Sequence, residues 1–171
     1  ELYWLYGAVG FLLLAAVLIL GSLSYGAKLA ITIHGVTFQP SELVKILFVF
    51  FAAGMLHKQP DFRRVGVTTA AAAAFVLVLV LSKDLGGALI YFVTYLMILY
   101  VATGQPLYLL GGLLAGSGAS FIAYRLFSHV QTRVLAWRDP FSVIEKEGYQ
   151  VTQSLFAIGT GGWFGSGLGK G

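Results

Sequence analysis

Five apolar runs separated by short polar breaks dominate this sequence and leave it one kind of architecture. They extend from Tyr3 to Leu23, Ser41 to Leu56, Val65 to Leu81, Gly86 to Ala102 and Leu107 to Phe127. About 20 apolar residues in a helix cross the roughly 30 Å hydrocarbon core of a bilayer. Helices are also the way an open chain satisfies its backbone there. With 58% hydrophobic and 11% charged residues among 171, the expectation is an all-α polytopic membrane protein of about five transmembrane helices. The second run is short at its polar entrance, which suits a helix that begins at Pro40 in a solvated pocket. Tyr3, Trp4 and Tyr6 read as an interfacial aromatic belt.

Small residues recur at Gly112, Gly116 and Ser120, and alanines run from Ala70 to Ala74. Both suit close helix packing. No repeat or low-complexity linker appears, so the helices are expected to form one domain. The net charge of +4 comes from eleven Lys and Arg against seven acids. The bases are scattered through loops and helix ends, which argues against nucleic acid and for an anionic lipid or phosphate ligand. The absence of cysteine excludes a disulfide framework and thiolate metal sites. His34, His57 and His129 share no ligand spacing and are assigned no metal.

The octet Phe38-Gln39-Pro40-Ser41-Glu42-Leu43-Val44-Lys45 places an acid and a base three apart at the start of an apolar run. Charges inside membrane helices cost about 2.5 to 3.5 kcal/mol each by insertion scales and usually face a protein interior, a partner or an ion path. Pro40 suits the first helical turn, where Glu42 complements the dipole. Lys45 shares a face with Glu42. The pair is read either as part of a polar site or as mutual neutralisation that lets the helix insert. A second polar point, Ser82-Lys83-Asp84-Leu85-Gly86-Gly87, is a hairpin tip where Asp84 can cap the next helix, serve a ligand, or do both.

The connections alternate between two membrane faces. Ser24 to Gln39, Ser82 to Leu85 and the tail Ser128 to Gly171 share one face, while His57 to Arg64 and Thr103 to Pro106 share the other. Lys58, Arg63 and Arg64 mark the second face as cytoplasmic, but Lys28, Lys83, Arg133, Arg138, Lys146 and Lys170 outnumber them opposite. Either a long tail escapes the positive-inside count, or an anion such as pyrophosphate binds there. In the tail, Arg133 and Arg138 offer planar donor forks. The stretch from Gly148 to Ile158 reads as a short interfacial helix with Gln150, Gln153 and Ser154 on one face and Val151, Leu155 and Ile158 on another. The glycine-dense end from Gly159 to Gly171 lacks the strand, helix and Lys-Ser/Thr pair of a nucleotide loop.

Phe38-Gln39-Pro40-Ser41-Glu42-x-x-Lys45, Asp84-Leu85-Gly86, Arg133-Val134, Asp139-Pro140 and Gly148-Tyr149-Gln150-x-x-Gln153-Ser154-x-x-Ala157-Ile158-Gly159-x-Gly161-Gly162 follow one another across nearly the whole chain. This ordered set closely resembles the SEDS family of RodA, FtsW and SpoVE. The resemblance implies a multi-pass protein of the bacterial cytoplasmic (inner) membrane that polymerises lipid II, an undecaprenyl-pyrophosphate-linked disaccharide pentapeptide, beside a class B penicillin-binding protein. It implies about ten helices in the parent, of which this chain resembles the third to seventh, with residues 128 to 171 in an extracytoplasmic loop. The start at Glu1 without Met and the end inside a glycine stretch agree with an internal fragment. The family's proposed catalytic Asp belongs to a motif that would follow Gly171, so the catalytic base is expected outside this chain, and the fragment is expected to be inactive alone. Ser82-Lys83-Asp84 stands where the family commonly has Gln-Pro-Asp, and Thr37 where some members carry Arg.

On this reading Arg133 and Lys45, with Lys83, face the pyrophosphate, while Glu42 orients Lys45. Asp84 holds its loop or a divalent cation, the one cofactor considered. Gln150, Gln153 and Ser154 bond sugar or loop. The rivals are a lipid II flippase, which would need charges through the full membrane depth, and a non-catalytic scaffold of the cell-wall machinery.

Overall fold

The computed structural model describes every residue except Glu1, Gly21, Tyr25, Gly26, His34, Gly35, Lys58, Gln59, Lys146, Glu147, Phe164, Leu168, Lys170 and Gly171, and in the strands it describes the backbone. Lys58, Lys146 and Lys170 of the charge count, and His34, thus lie outside the described residues, as does the side chain of Thr37. In chain order the elements are α1 (Tyr3–Leu20), β1 (Ser22–Ser24), β2 (Ala27–Ile33), β3 (Val36–Phe38), α2 (Pro40–Met55), α3 (Phe62–Leu81), α4 (Leu85–Thr103), α5 (Pro106–Leu126), α6 (Ser128–Arg138), a 3₁₀ turn (Pro140–Val143) and α7 (Tyr149–Gly161). The fold is helical, and α3, α4 and α5 are long and apolar enough to cross a membrane. The connection before α2 differs from the plain loop expected there. Its three strands pair antiparallel in the order β1-β2-β3, with Ser24 opposite Ala27 and Ile33 opposite Val36.

The chain divides into two compact units, Glu1–Gly116 and Ser117–Gly171. In the first, α1 and α2 pack antiparallel at close range. A Cβ on Gly54 would meet Tyr3 Cβ at 2.5 Å, and one on Gly7 would meet Phe51 Cδ2 at 2.6 Å. Asp61 starts α3 by accepting from the Arg64 amide at 3.1 Å. The centre is a group of rings drawn from four helices. Phe75 of α3 lies 5.5 Å from Phe11, 5.2 Å from Phe48, 6.4 Å from Phe51 and 6.2 Å from Tyr91 between ring centroids. The contacts to Phe11, Phe48 and Phe51 are edge-on or tilted and that to Tyr91 is stacked, and at these separations both arrangements suit the ring quadrupoles better than a face-to-face sandwich. The small residues do what their spacing suggests at two of three positions: Gly112 abuts Leu96 and Gly116 abuts Phe92, whereas Ser120 is exposed.

The second unit contains the end of α5, α6, the 3₁₀ turn and α7. The Gln131 amide donates to the Tyr124 carbonyl at 2.9 Å and closes the α5–α6 corner. Asp139 caps the 3₁₀ turn through the Ser142 amide at 3.3 Å. Gly148 is buried where a Cβ would strike the Pro140 carbonyl. The helix expected near Gly148 exists as α7, but its buried position is Thr152, not the Leu155 and Ile158 side. The Thr152 hydroxyl donates to the Pro140 carbonyl at 3.3 Å, while Leu155 and Ile158 are exposed. A polar anchor to the preceding turn thus sets the face of α7.

Phe75→Ala should lower stability by about 3 to 5 kcal/mol, the usual cost of emptying a buried aromatic position. Denaturant unfolding of the intact parent in detergent checks this.

Candidate functional site

Helix α2 begins at Pro40 in its first turn, with Gln39 before it in extended conformation and Glu42 as the acid of that turn. Glu42 Oε2 and Lys45 Nζ pair at 2.7 Å, with side-chain exposures of 62% and 32% respectively. An exposed pair at this spacing contributes only a few tenths of a kcal/mol, so stability does not explain it. An ammonium has three donors, and Glu42 occupies one. The contact therefore neutralises the helix entrance and still leaves Lys45 able to bind an anion.

The hairpin between α3 and α4 is built from helix-end chemistry. The Lys83 amide reaches the Val80 carbonyl at 3.0 Å, and the Asp84 amide reaches the Leu79 carbonyl at 2.9 Å. These are the two bonds of a Schellman stop, whose C′ residue is normally a left-handed glycine. Here that residue is Lys83, at φ 65°. A non-glycine residue held there costs on the order of 1 to 3 kcal/mol. Proline, with φ fixed near −65°, cannot adopt it, so the lysine comes with a different loop. Asp84 then caps α4, its Oδ1 accepting from the Gly87 amide at 2.8 Å. A Cβ on Gly87 would come within 2.5 Å of Oδ2, so the glycine gives the carboxylate its room.

Tyr91, two turns into α4, joins the two polar points. Its hydroxyl donates to the Ser41 carbonyl, in the turn that carries Glu42, at 3.1 Å, and Asp84 precedes it on the same helix by seven positions. Sequence reasoning passed over it as one more residue of an apolar run. The available signal was a tyrosine seven positions, or about two turns, after Asp84.

The remaining candidates belong to the second unit. Arg133 is exposed on α6, and Gln150, Gln153 and Ser154 are exposed on α7, with the Ser154 hydroxyl turned back to the Val151 carbonyl at 2.9 Å. Among the described residues no three acids or histidines gather as metal ligands, and one Asp84 oxygen is engaged in the cap. A cleft of about 540 Å³ at the other end of the first unit is lined by Pro60, Ala102, Thr103, Gly104, Gln105 and Tyr108. Among the described residues its lining has no acid, lysine or arginine.

The family model FTSW_RODA_SPOVE, described as a cell cycle protein, matches residues 2–171. The chain belongs to this family. Among relatives of the FtsW/RodA/SpoVE group, the peptidoglycan glycosyltransferase RodA of Mycobacterium leprae (strain TN) is 38% identical over 162 residues. That match covers 85% of this chain and 35% of the relative. The probable peptidoglycan glycosyltransferase FtsW of Geobacter sp. (strain M18) is 33% identical over 171 residues, covering 96% and 46%. The chain thus spans less than half the length of either relative. A chain solved in work on the structural coordination of polymerization and crosslinking by a peptidoglycan synthase complex superposes with a TM-score of 0.70 at 31% identity. It covers 95% of this chain and 49% of that one. A mutant of the Thermus thermophilus rod shape determining protein RodA gives 0.60 at 26% identity, covering 77% and 46%. As a member of this family with three helices fit to span a bilayer, the chain is part of a multi-pass membrane protein.

Three substitutions separate structure from charge at the hairpin. Asp84→Ala should cost about 1 kcal/mol through the lost cap, whereas Asp84→Asn should keep the cap and the stability. Lys83→Gly should gain about 1 kcal/mol by relieving the left-handed lysine. Unfolding curves of the intact parent in detergent measure all three.

Proposed function

We propose that the parent protein is a lipid II glycosyltransferase of the bacterial cytoplasmic membrane, and that the charged end formed by α2 and the α3–α4 hairpin is one wall of its substrate site. The family match along residues 2–171 carries this reading, and relatives named as peptidoglycan glycosyltransferases support it. In the reaction the acceptor sugar's hydroxyl attacks the anomeric carbon of the donor. A new C–O bond forms, the bond from that carbon to the pyrophosphate oxygen breaks, and undecaprenyl pyrophosphate leaves. The hydroxyl proton passes to a general base. Charge builds on the departing pyrophosphate, where fixed cations are worth most.

On this reading Lys45 and Lys83 meet the pyrophosphate, and Arg133, whose planar guanidinium suits a phosphate fork, is a further phosphate-binding candidate. Glu42 aims Lys45, and Asp84 holds the hairpin. Gln150, Gln153 and Ser154 are assigned to sugar or loop hydrogen bonds. The tail from residue 128 onward then faces the extracytoplasmic side, where lipid II is polymerised, and a class B penicillin-binding protein is the partner. Likeness to a chain from a peptidoglycan synthase complex that coordinates polymerization and crosslinking supports such a pairing.

Lys45→Ala in the intact parent should reduce polymerisation of purified lipid II by about 10²-fold, the scale seen when one preorganised donor to a developing anion is removed. Glycan products resolved on a gel report this. Full-length polymer from both Lys45→Ala and Glu42→Ala would sink the assignment. Transport of lipid II without any polymer from the wild type would favour a flippase.

A further inference from the structure

We propose that Tyr91 is a positioning residue whose buried hydroxyl locks the first turn of α2 against α4 and so sets where Glu42 and Lys45 stand relative to Asp84. The side chain is 1% exposed. Its ring is pinned 4.9 Å from Phe48 and 6.2 Å from Phe75, so the hydroxyl cannot swing to another acceptor without repacking the core. It meets the Ser41 carbonyl at 3.1 Å, across 50 positions of chain. In a helix that carbonyl is also the acceptor for the Lys45 amide, four residues on. One oxygen thus ties the backbone that carries Lys45 to the helix that Asp84 caps.

A leucine or phenylalanine would fill the same apolar space, so packing alone does not require the hydroxyl. A buried tyrosine hydroxyl without an acceptor is costly, and this one has an acceptor at the entrance of α2. Seven residues, or about two turns, separate it from Asp84. One face of α4 therefore presents both the cap carboxylate and the hydroxyl. Gln39 reinforces the same turn, its amide donating to the Ser41 hydroxyl at 3.2 Å. The consequence for substrate rests on the lipid II reading; the positioning itself does not.

Tyr91→Phe in the intact parent is the test, because it removes one oxygen and keeps the ring. Amide hydrogen exchange in the peptide covering Pro40 to Phe48 should quicken about fivefold, the effect of one ordinary hydrogen bond on local opening, while α5 stays unchanged. Unchanged exchange in α2, or a uniform rise through α4 and α5, overturns the proposal whatever the parent catalyses. In lipid II polymerisation the same variant should lower kcat about fivefold with KM preserved, and it should add nothing in a Lys45→Ala background. Additive losses in that background overturn the positioning role. If the wild type makes no polymer, the lipid II reading fails and the exchange measurement alone decides the role of Tyr91.

Discussion

Every polar group placed at bilayer depth must find its partner inside the chain, and the arrangement of the first unit follows from that constraint. Thr68, Ser82 and Thr103 return their hydroxyls to carbonyls four residues back, at 2.7, 2.8 and 2.7 Å. Thr69 does the same at 2.8 Å and also meets the Tyr95 hydroxyl at 2.7 Å, which links α3 to α4. Tyr91 reaches the Ser41 carbonyl and links α4 to α2. The aromatic centre between these bonds supplies contact area, and the hydroxyls fix which turns face one another. Direction comes from the few polar groups, since apolar packing alone tolerates sliding.

Lys45 and Lys83 depart from this economy. Lys45 is paired but keeps donors to spare, and Lys83 takes a backbone conformation that glycine would adopt at less cost. Strain and charge brought to the same end of a bundle argue for a ligand there, because neither improves the fold. A backbone outlier of this kind persists only where its surroundings hold it, and such outliers gather at ligand sites.

The helices were legible because apolar length and polar interruption are encoded locally. α3 begins at Phe62, three residues before the apolar run, because Asp61 supplies a cap that hydropathy does not register. The alternation in Ala27-Lys28-Leu29-Ala30-Ile31-Thr32-Ile33 carried a strand signal of period two, overshadowed by the longer helical runs on either side. α6 was missed because its apolar and polar residues follow one another without forming a face. At the site, the spacing of Glu42 and Lys45 predicted their contact, and the two roles weighed for Asp84 included the cap it makes. The left-handed lysine and the Tyr91 bond were not legible. Each depends on tertiary partners, a helix end in one case and a carbonyl 50 residues away in the other.

Charge balance sets a further condition on how this end can bind an anion. Glu42 and Asp84 carry two negative charges, and Lys45 and Lys83 carry two positive ones, so these four side chains are neutral as a group. The Tyr91 hydroxyl donates its hydrogen bond to the Ser41 carbonyl. That arrangement adds no attraction for phosphate. On the lipid II reading, the excess positive charge a pyrophosphate needs must come from outside these four side chains. The neutral group then has a different part: it orients a bound headgroup by two separately placed ammonium groups without holding the product too tightly to release. An enzyme that must let go of undecaprenyl pyrophosphate after each transfer gains more from such placement than from uniform attraction, because interactions shared equally by ground and transition states do not speed the chemical step.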